Sequence, residues 1–591
     1  MKHTKRLIAL LAAAALLCAC SRQDASALPD TTAAPAATES IAKPETTVET
    51  TVPETTAPET TAPAPTPINL VTDGKADYVI VCPEHATDAE RKAAAAIRDG
   101  IFKQTGEVLS IKNDWIKAGG TYDAAAREIL IGGCAQSEVE TVRSDMRYSE
   151  YAVRFCGSKL VVTAWSDDAL SRAASLLLGD LQITGGTVTL SSDYSLTGGT
   201  DNMIDLLPRY TGGRVSNVVD CADDNRMLYI TNTTADEYRA YCKQLEAAGF
   251  TLYTEREAAG NLFATYTSEK HTVTAYYTAC DAEARVIIEP ASALPPRAED
   301  TTTTNDKYEP AVRMVGLEYN YNGDGYNQIG LMLLFRLPDG RLIVVDGGSY
   351  VAKNAALLYK NMRELAPDKD NIVIAAWVLT HAHGDHTGGY NQFAEVYAGR
   401  IKVERVIHNF TTKAQYALVN DYGRDDQSRE TAEKLADAVI KAHNGQLYHF
   451  GGATMEILYT FEDFEPEALP FHNTTSLIFR ISMGGQTVMV LGDAYTLSNG
   501  IVSKMYGSYL KSDIVQVSHH GYVGGTVEVY SLIDADTAIW PGGLRNFDKL
   551  SIRDENTYVV KNARDLYIAG DDVVTLTLPY TPVGNNPKYA G

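Results

Sequence analysis

At 591 residues the chain is long enough for about four domains, and 45% hydrophobic with 21% charged residues is the composition of globular material. A formal net charge of −23 supplies no basic surface for displacing counterions, which excludes long nucleic acid as a partner. A small nucleotide held through metal ions stays open. The first segment reads as an export signal: Lys2, Lys5 and Arg6 precede an apolar run, Leu7 to Leu17, short of the ~20 residues a bilayer crossing needs. Residues 21–67 follow, ending in "PETTVETTVPETTAPETTAPAPTP". That repeat holds no large apolar residue beyond Val to bury, and its prolines keep it extended, so a disordered spacer is expected.

The stretch Leu17-Cys18-Ala19-Cys20 resembles a bacterial lipobox, from which Cys18 departs. The resemblance implies a signal peptide over 1–20, lipidation of Cys20, and an exported, extracellular lipoprotein. It would be anchored to the outer face of a bacterial cytoplasmic membrane, with the spacer as its tether. The six other cysteines, Cys82, Cys134, Cys156, Cys221, Cys242 and Cys280, show no C-x-x-C pair. Metal binding by them is not expected; disulfides and buried free thiols are equally compatible.

Residues 68–200 alternate strand and helix. "ADYVIVCP" and "AREILIGG" are strands, "DAERKAAAAIRDGIFKQTG" is an amphipathic helix ending at Gly106, "EYAVRFCGSKLVVTAW" is a hairpin turning at Gly157-Ser158, and "DDALSRAASLLLGDL" is a second helix. This order resembles the non-catalytic α/β domain at the N-terminus of glycoside hydrolases of the hexosaminidase and α-glucuronidase types. It implies a structural or docking domain with a glycan contact. A glycosidase is not expected, because no carboxylate pair stands out and no barrel-length segment is free. Residues 201–305 read as a small α+β domain, with a helix "TADEYRAYCKQLEAAGF" and alternating strands such as "LFATYTSEKHTVTAYYTA". Its tyrosines fit half-buried sheet positions better than sugar contacts. "EDTTTTNDK" is a second linker.

Residues 306–591 carry the chemistry. "GLMLLFRLPDGRLIVVDGG" is a hairpin across Pro-Asp-Gly whose second strand ends at Asp346. After a helix, "NIVIAAWVLT" reads as a buried strand. At its C-terminal end, where α/β proteins place their sites, stands "THAHGDHTGGY". His381 and His383, two apart in an extended segment, point the same way. Asp385 and His386 follow across Gly384, expected to allow a tight turn. Imidazole and carboxylate are fitting donors for Zn²⁺ and related ions. With only 12 histidines in the chain, this spacing is not a chance cluster.

The His-x-His-x-Asp-His order resembles the signature of the metallo-β-lactamase fold superfamily, and other elements follow over nearly 280 residues. "LIVVDGG" resembles the strand ending in a buried aspartate, and "QTVMVLGDAY" the one carrying a metal-bridging aspartate, here Asp493. "HNTTSLIFRI" and "SDIVQVSHHGYVGG" resemble the Asn-x-x-Ser and His-His-Gly elements of the branch with DNA-uptake hydrolases and choline-phosphate esterases. The resemblance implies an αββα sandwich, so the fold class is α/β: that sandwich preceded by two smaller α+β domains and a disordered linker. It implies two divalent ions, Zn first with Mn or Fe as alternatives. His381, His383 and Asp493 would serve the first ion; Asp385, His386, Asp493 and one of His519 and His520 would serve the second. Asp385, His519 and His520 carry the catalytic roles, Asp346 would orient a ligand histidine, and Asn473 would support the site. The superfamily's Pro-Gly-His loop is missing, which leaves His472 or His408 as stand-ins for a third histidine on the first ion. The implied function is a surface-anchored hydrolase using a metal-activated hydroxide, on a small-molecule or cell-envelope phosphodiester or phosphoester. The alternative is a glycan-binding surface lipoprotein with a relict hydrolase domain. Tyr390, Tyr495 and Tyr522 are candidates to line the pocket.

Overall fold

A computed structural model describes residues 65–291, 293–298, 307–317, 329–350, 352–416, 423–570 and 572–590, all in one unit, Pro65–Gly591. The export signal, Cys20, the spacer up to residue 64 and nearly all of the second linker lie outside the described residues. Pro67, the last residue of the expected spacer, already opens a strand, Pro67–Thr72, which pairs with Thr187–Ser191.

In the first block the helix Asp88–Thr105 starts from a capping box between Thr87 and Glu90 and stops at left-handed Gly106. It packs with the helix Asp167–Asp180 over a six-stranded mixed sheet, whose hairpin Glu150–Cys156/Lys159–Ala164 turns at Gly157 as expected. All six described cysteines are free thiols.

The middle block is a six-stranded antiparallel sheet with the helix Ala235–Ala247. Its central strands, Asn261–Thr267 and His271–Thr278, are buried on both faces rather than one. Tyr266 and Tyr277 pack with the helix and the first block, while Phe263, Tyr276 and Ile287 pack with Phe461 and Leu491 of the last block. A sheet covered on both sides puts its tyrosines in the core, so the half-buried expectation is corrected. Tyr266 and Tyr276 are at most 2% exposed.

The last block is two sheets face to face with helices outside. The first runs Ala438–Lys441, Arg405–His408, Ile372–Val378, Leu342–Val345, Leu333–Arg336, Ala311–Val315, Val573–Thr577. The second runs from Leu447–Phe450 to Asp565–Ile568. Val345, Val378, Phe479 and Val488 fill the space between them. Leu358, Met362 and Phe393 of two helices cover Val344 and Trp377 on one outside, and Val502, Val529 and Val559 cover Met489 and Val515 on the other. These four layers are the expected αββα sandwich. Within it Leu342–Val345 and Ile372–Val378 run parallel, as do Gln486–Val490 and Ile514–Gln516. Their C-terminal ends meet at one edge.

Candidate metal centre

The site begins with Asp346, fully buried just past the strand Leu342–Val345 and held at φ 55°, a conformation Asp tolerates better than most residues. Its Oδ1 accepts the Thr380 backbone N–H (2.8 Å), and its Oδ2 accepts the Thr380 hydroxyl (2.7 Å) and His386 Nδ1–H (2.6 Å). One carboxylate thus locks the end of the neighbouring strand and the ring of a ligand-type histidine.

His383 is the N-cap of the helix Gly384–Tyr397, whose first turn carries Asp385 and His386. Gly384 is the first helical residue with ordinary φ. A Cβ there would meet only the flexible Arg424 side chain, at 3.4 Å. The expected tight turn at Gly384 is therefore corrected. Close approach is needed further on, where a Cβ on Gly389 would lie 2.0 Å from Gly347 O. The helix start docks backbone to backbone on the loop after Asp346: Gly347 N donates to His386 O (2.7 Å) and Gly389 N to Gly348 O (2.8 Å).

The second sheet brings Asp493 after Gln486–Val490, and His519 and His520 after Ile514–Gln516. The two histidines are consecutive left-handed residues, φ 50° and 53°, the kind of backbone strain found where a site fixes side-chain direction. Their rings diverge. His520 is buried, with Nε2 3.2 Å from Asp493 Oδ2 and 3.3 Å from Asp385 Oδ2. His519 sits at the rim, its side chain 22% exposed, with Nε2 facing Asn473 Nδ2 at 3.1 Å. Asp385, His386, Asp493 and His520 each offer a ligand atom, all within 4.8 Å of one another. His381 Nε2 and His383 Nδ1, 3.1 Å apart, stand beside them, the former 4.0 Å from Asp493 Oδ2.

The donor set fits metal ions. His386 Nδ1–H is used by Asp346. His520 Nδ1 lies 2.9 Å from Pro541 O, which can only accept, and 3.3 Å from the Gly330 N–H, so the shorter contact puts the proton on Nδ1. Each ring then turns an Nε2 lone pair toward Asp493, and neither Nε2 nor Asp493 Oδ1 has a hydrogen-bond partner among the described residues, though all are buried. Lone pairs facing lone pairs in a dry site need a proton or a cation between them. Without a cation the protein must hold protons there. Burial pulls His386 down, but Asp493 and Asp346 outweigh it and push it well above the usual histidine range. Asp493 and Asp385 likewise push His520 up to about 9 against burial. Asp385 is raised by burial, but His520 and His386 overcome this and hold it well below the carboxylate range. His381, buried beside His386 and His383, is pushed well below its range and stays neutral. A divalent ion replaces those protons and uses the same lone pairs.

The other candidates are placed as follows. His472 Nε2 lies 3.2 Å from the Ala382 N–H that points at it, and its Nδ1 pairs with Tyr416 OH. The ring therefore braces the backbone between His381 and His383, and the stand-in ligand reading is not supported by this geometry. Asn473 contacts His519. His408 stacks on Phe410, and burial pushes it down to about 3. It keeps company with Asp223 and Lys441 rather than the cluster. Tyr390 is buried against Trp377, a packing residue. Tyr495 and Tyr522 are half-buried at the rim, with ring centroids 6.2 and 5.7 Å from His519. Three residues carry no motif of their own. Thr380 was visible only as the neighbour of His381. Tyr416 and Asp425 meet His472 from 56 and 47 positions away, the latter at 3.6 Å.

Residues 327–538 match the family model described as the metallo-beta-lactamase superfamily, so this part of the chain is a metallo-β-lactamase superfamily domain. That fold points to metal-dependent hydrolase-type function in general, although some members are hydroxylases or non-catalytic. Similar solved structures include the metallo-beta-lactamase fold protein YhfI from Bacillus subtilis, 16% identical over 45% of this chain and 100% of that one, with a TM-score of 0.30. CmlA, a diiron beta-hydroxylase from Streptomyces venezuelae, is 13% identical over 49% of this chain and 55% of its own, TM-score 0.30. MEM-A1, a subclass B3 metallo-beta-lactamase from a soil metagenome library, is 15% identical over 37% and 82%, TM-score 0.22. No curated protein matches.

Proposed function

We propose that the protein is a surface-anchored, metal-dependent hydrolase of phosphodiesters or phosphoesters. One observation carries the hydrolase reading: four imidazole Nε2 atoms, of His381, His386, His519 and His520, lie within 4.0 Å of the single oxygen Asp493 Oδ2, and among the described residues no donor satisfies Asp493 Oδ1. His381, His383 and Asp493 would hold one divalent ion, and Asp385, His386, Asp493 and His520 a second. Zn suits the His/Asp set, with Mn or Fe as alternatives. Bound there, the ions would supply Lewis acidity and a water acidified toward neutral pH.

The chain's own groups do the rest. Asp385, ionised and half-buried, stands at the entrance to accept a proton from the attacking water. His519 is kept neutral mainly by burial and lowered from its usual range. Its Nδ1–H is spent on Val523 O at 2.6 Å and its Nε2 lone pair faces the Asn473 amide at 3.1 Å, so a water or substrate hydroxyl would reach Nε2 by displacing Asn473. Asn473 offers an amide beside it, and the Tyr495 and Tyr522 rings wall the rim. The phosphoester choice is supported by the two paired ion positions, which suit two oxygens of one phosphoryl group, and by the Asn-x-x-Ser and His-His-Gly resemblance. The lipobox-like Leu17-Cys18-Ala19-Cys20 supports anchoring through Cys20, which would place an envelope phosphoester within reach.

The test is metal content with turnover of bis-p-nitrophenyl phosphate, p-nitrophenyl phosphorylcholine and a p-nitrophenyl carboxylic ester. About two metal equivalents and phosphodiester turnover lost in Asp385→Ala are expected. Ester-only turnover would overturn the substrate class. Metal-free, inactive protein would overturn the hydrolase reading. Incorporation of labelled fatty acid, abolished by Cys20→Ala, tests the anchor.

A further inference from the structure

A second polar site lies far from this chemistry in sequence. Between the first and middle blocks is a cavity of ≈ 510 Å³, within the ~300–1,000 Å³ range of ligand pockets. Three arginines line it: Arg143 at the end of the helix Ser137–Arg143, Arg209 and Arg214. Among the described residues none of the three forms an ion pair. Their bonds go to uncharged oxygens: Arg143 to Thr163 Oγ1 and Ala164 O (both 2.8 Å), Arg209 to Arg143 O (2.6 Å), and Arg214 to Gly133 O (2.5 Å). The one carboxylate in the lining, Glu140, is exposed. In a chain of net charge −23, three guanidiniums without an ion pair at one cavity, with Glu90 and Glu140 the carboxylates acting on Arg143, concentrate positive charge.

Two more groups in the lining point to a ligand. Trp165 Nε1 and Gln136 Oε1 are buried, in residues 6% and 2% exposed, and among the described residues neither has a hydrogen-bond partner. Native structures rarely leave such atoms unpaired unless something else fills the space. Trp165 is fixed by Arg143 and Arg209, whose guanidinium carbons lie 4.5 and 5.1 Å from its ring centroid. Its faces are engaged, and its N–H edge is what remains. Burial and Arg214 pull Arg143 down to about 10, against Glu90, a cost that a bound anion would relieve.

We propose that this cavity binds the anionic group, carboxylate or phosphate, of a hydroxyl-rich ligand such as an acidic saccharide. Guanidinium forks match either anion in a bidentate way. A small shift of the surrounding side chains would open the buried indole N–H to one ligand hydroxyl and the Gln136 carbonyl to another. The site is independent of the metal centre and would let the N-terminal blocks hold an envelope glycan.

Titration calorimetry on the whole protein tests this with D-glucuronate, α-D-glucose 1-phosphate and D-glucose. One or both acids should bind and D-glucose should not, and the better acid tells carboxylate from phosphate. Arg214→Ala is the main variant because Arg214 is exposed and its loss should not unfold the chain. It should weaken acid binding about tenfold or more while phosphodiester turnover stays unchanged. Trp165→Phe, which keeps a ring but removes the N–H, should weaken it severalfold. Absence of acid binding, acid binding untouched by Arg214→Ala, or D-glucose binding equal to that of the acids would each overturn the proposal. Glucose 1-phosphate held fully by Arg214→Ala would belong to the metal centre instead.

Discussion

Two buried histidines in the last block sit between two carboxylates each, and they do different things. His386 lies between Asp346 (2.6 Å) and Asp493 (3.1 Å), and His443 between Glu462 (2.9 Å) and Glu289 (3.6 Å). Around His443 the Glu462 carboxylate is also bonded by Asn409 Nδ2 and Thr460 Oγ1, both at 3.1 Å. His443 Nε2, 3.6 Å from Glu289 Oε1, is buried without a hydrogen-bond partner among the described residues, as His386 Nε2 is. Here, however, one protonated ring between two carboxylates ties the middle block, through Glu289, to the last. Around His386 the shared carboxylate Asp493 is faced by three further imidazoles. There are too many lone pairs for the protons available. The same residue types make a structural ion pair where one protonated ring serves two carboxylates and a metal-ligand cluster where several rings crowd one carboxylate.

The sharpest way to break this contrast is Asp493→Asn. It should strip bound metal and lower phosphodiester turnover by about a thousandfold or more, checked by metal analysis and kinetics; retained metal would place the ions elsewhere. Asp346→Asn comes next. Asn tolerates the left-handed backbone but cannot hold both Thr380 and His386 as an anion does, so metal affinity should fall about 10–100-fold, read by competition with a chelator.

At the other histidine the expected effect is on stability alone. Burial pulls His443 down, but Glu462 and Glu289 outweigh it and push it up to about 10. A raised pKa in the folded state means that its stabilisation is complete below the unfolded value, about 6.5, and is lost as pH rises through about 10. His443→Gln should cost about 3–5 kcal/mol near neutral pH, flatten the fall in stability between pH 7 and 10, and leave metal content unchanged. Urea unfolding at several pH values decides it. The smallest effects separate two glycines of one motif. Gly389→Ala, forced against Gly347 O, should cost about 1–3 kcal/mol and loosen metal. Gly384→Ala, at an ordinary helical position, should stay within about 0.5 kcal/mol of wild type by thermal unfolding. Equal effects would mean that the helix docks differently.

Much of the site was legible because its parts are local. His381, His383, Asp385 and His386 fall within six residues, and a strand with a helix behind it gives them one direction. Asp346 was legible as a polar end to the apolar run "LIVV". The choice between His519 and His520 was not, since two adjacent residues at a strand end have identical spacing arguments. Their left-handed backbone turns one ring inward and one to the rim. The place of His472 was left open because its partners, Ala382, Tyr416 and Asp425, lie 90, 56 and 47 positions away. The middle sheet was read as half-exposed because alternation reports one covered face and cannot report a second domain closing over the other.

The sequence alone determined the order of strands and helices and the cluster of metal-ligand residue types, because these follow from period, turn chemistry and short spacings, and the motifs it shares with a known superfamily implied the sandwich in the last block. Tertiary structure alone decided which imidazole nitrogens face a shared carboxylate, how many rings crowd each buried carboxylate, and which three arginines meet at one cavity. Those outcomes depend on contacts between residues dozens to hundreds of positions apart, where burial removes water and every polar group must find its partner in the fold.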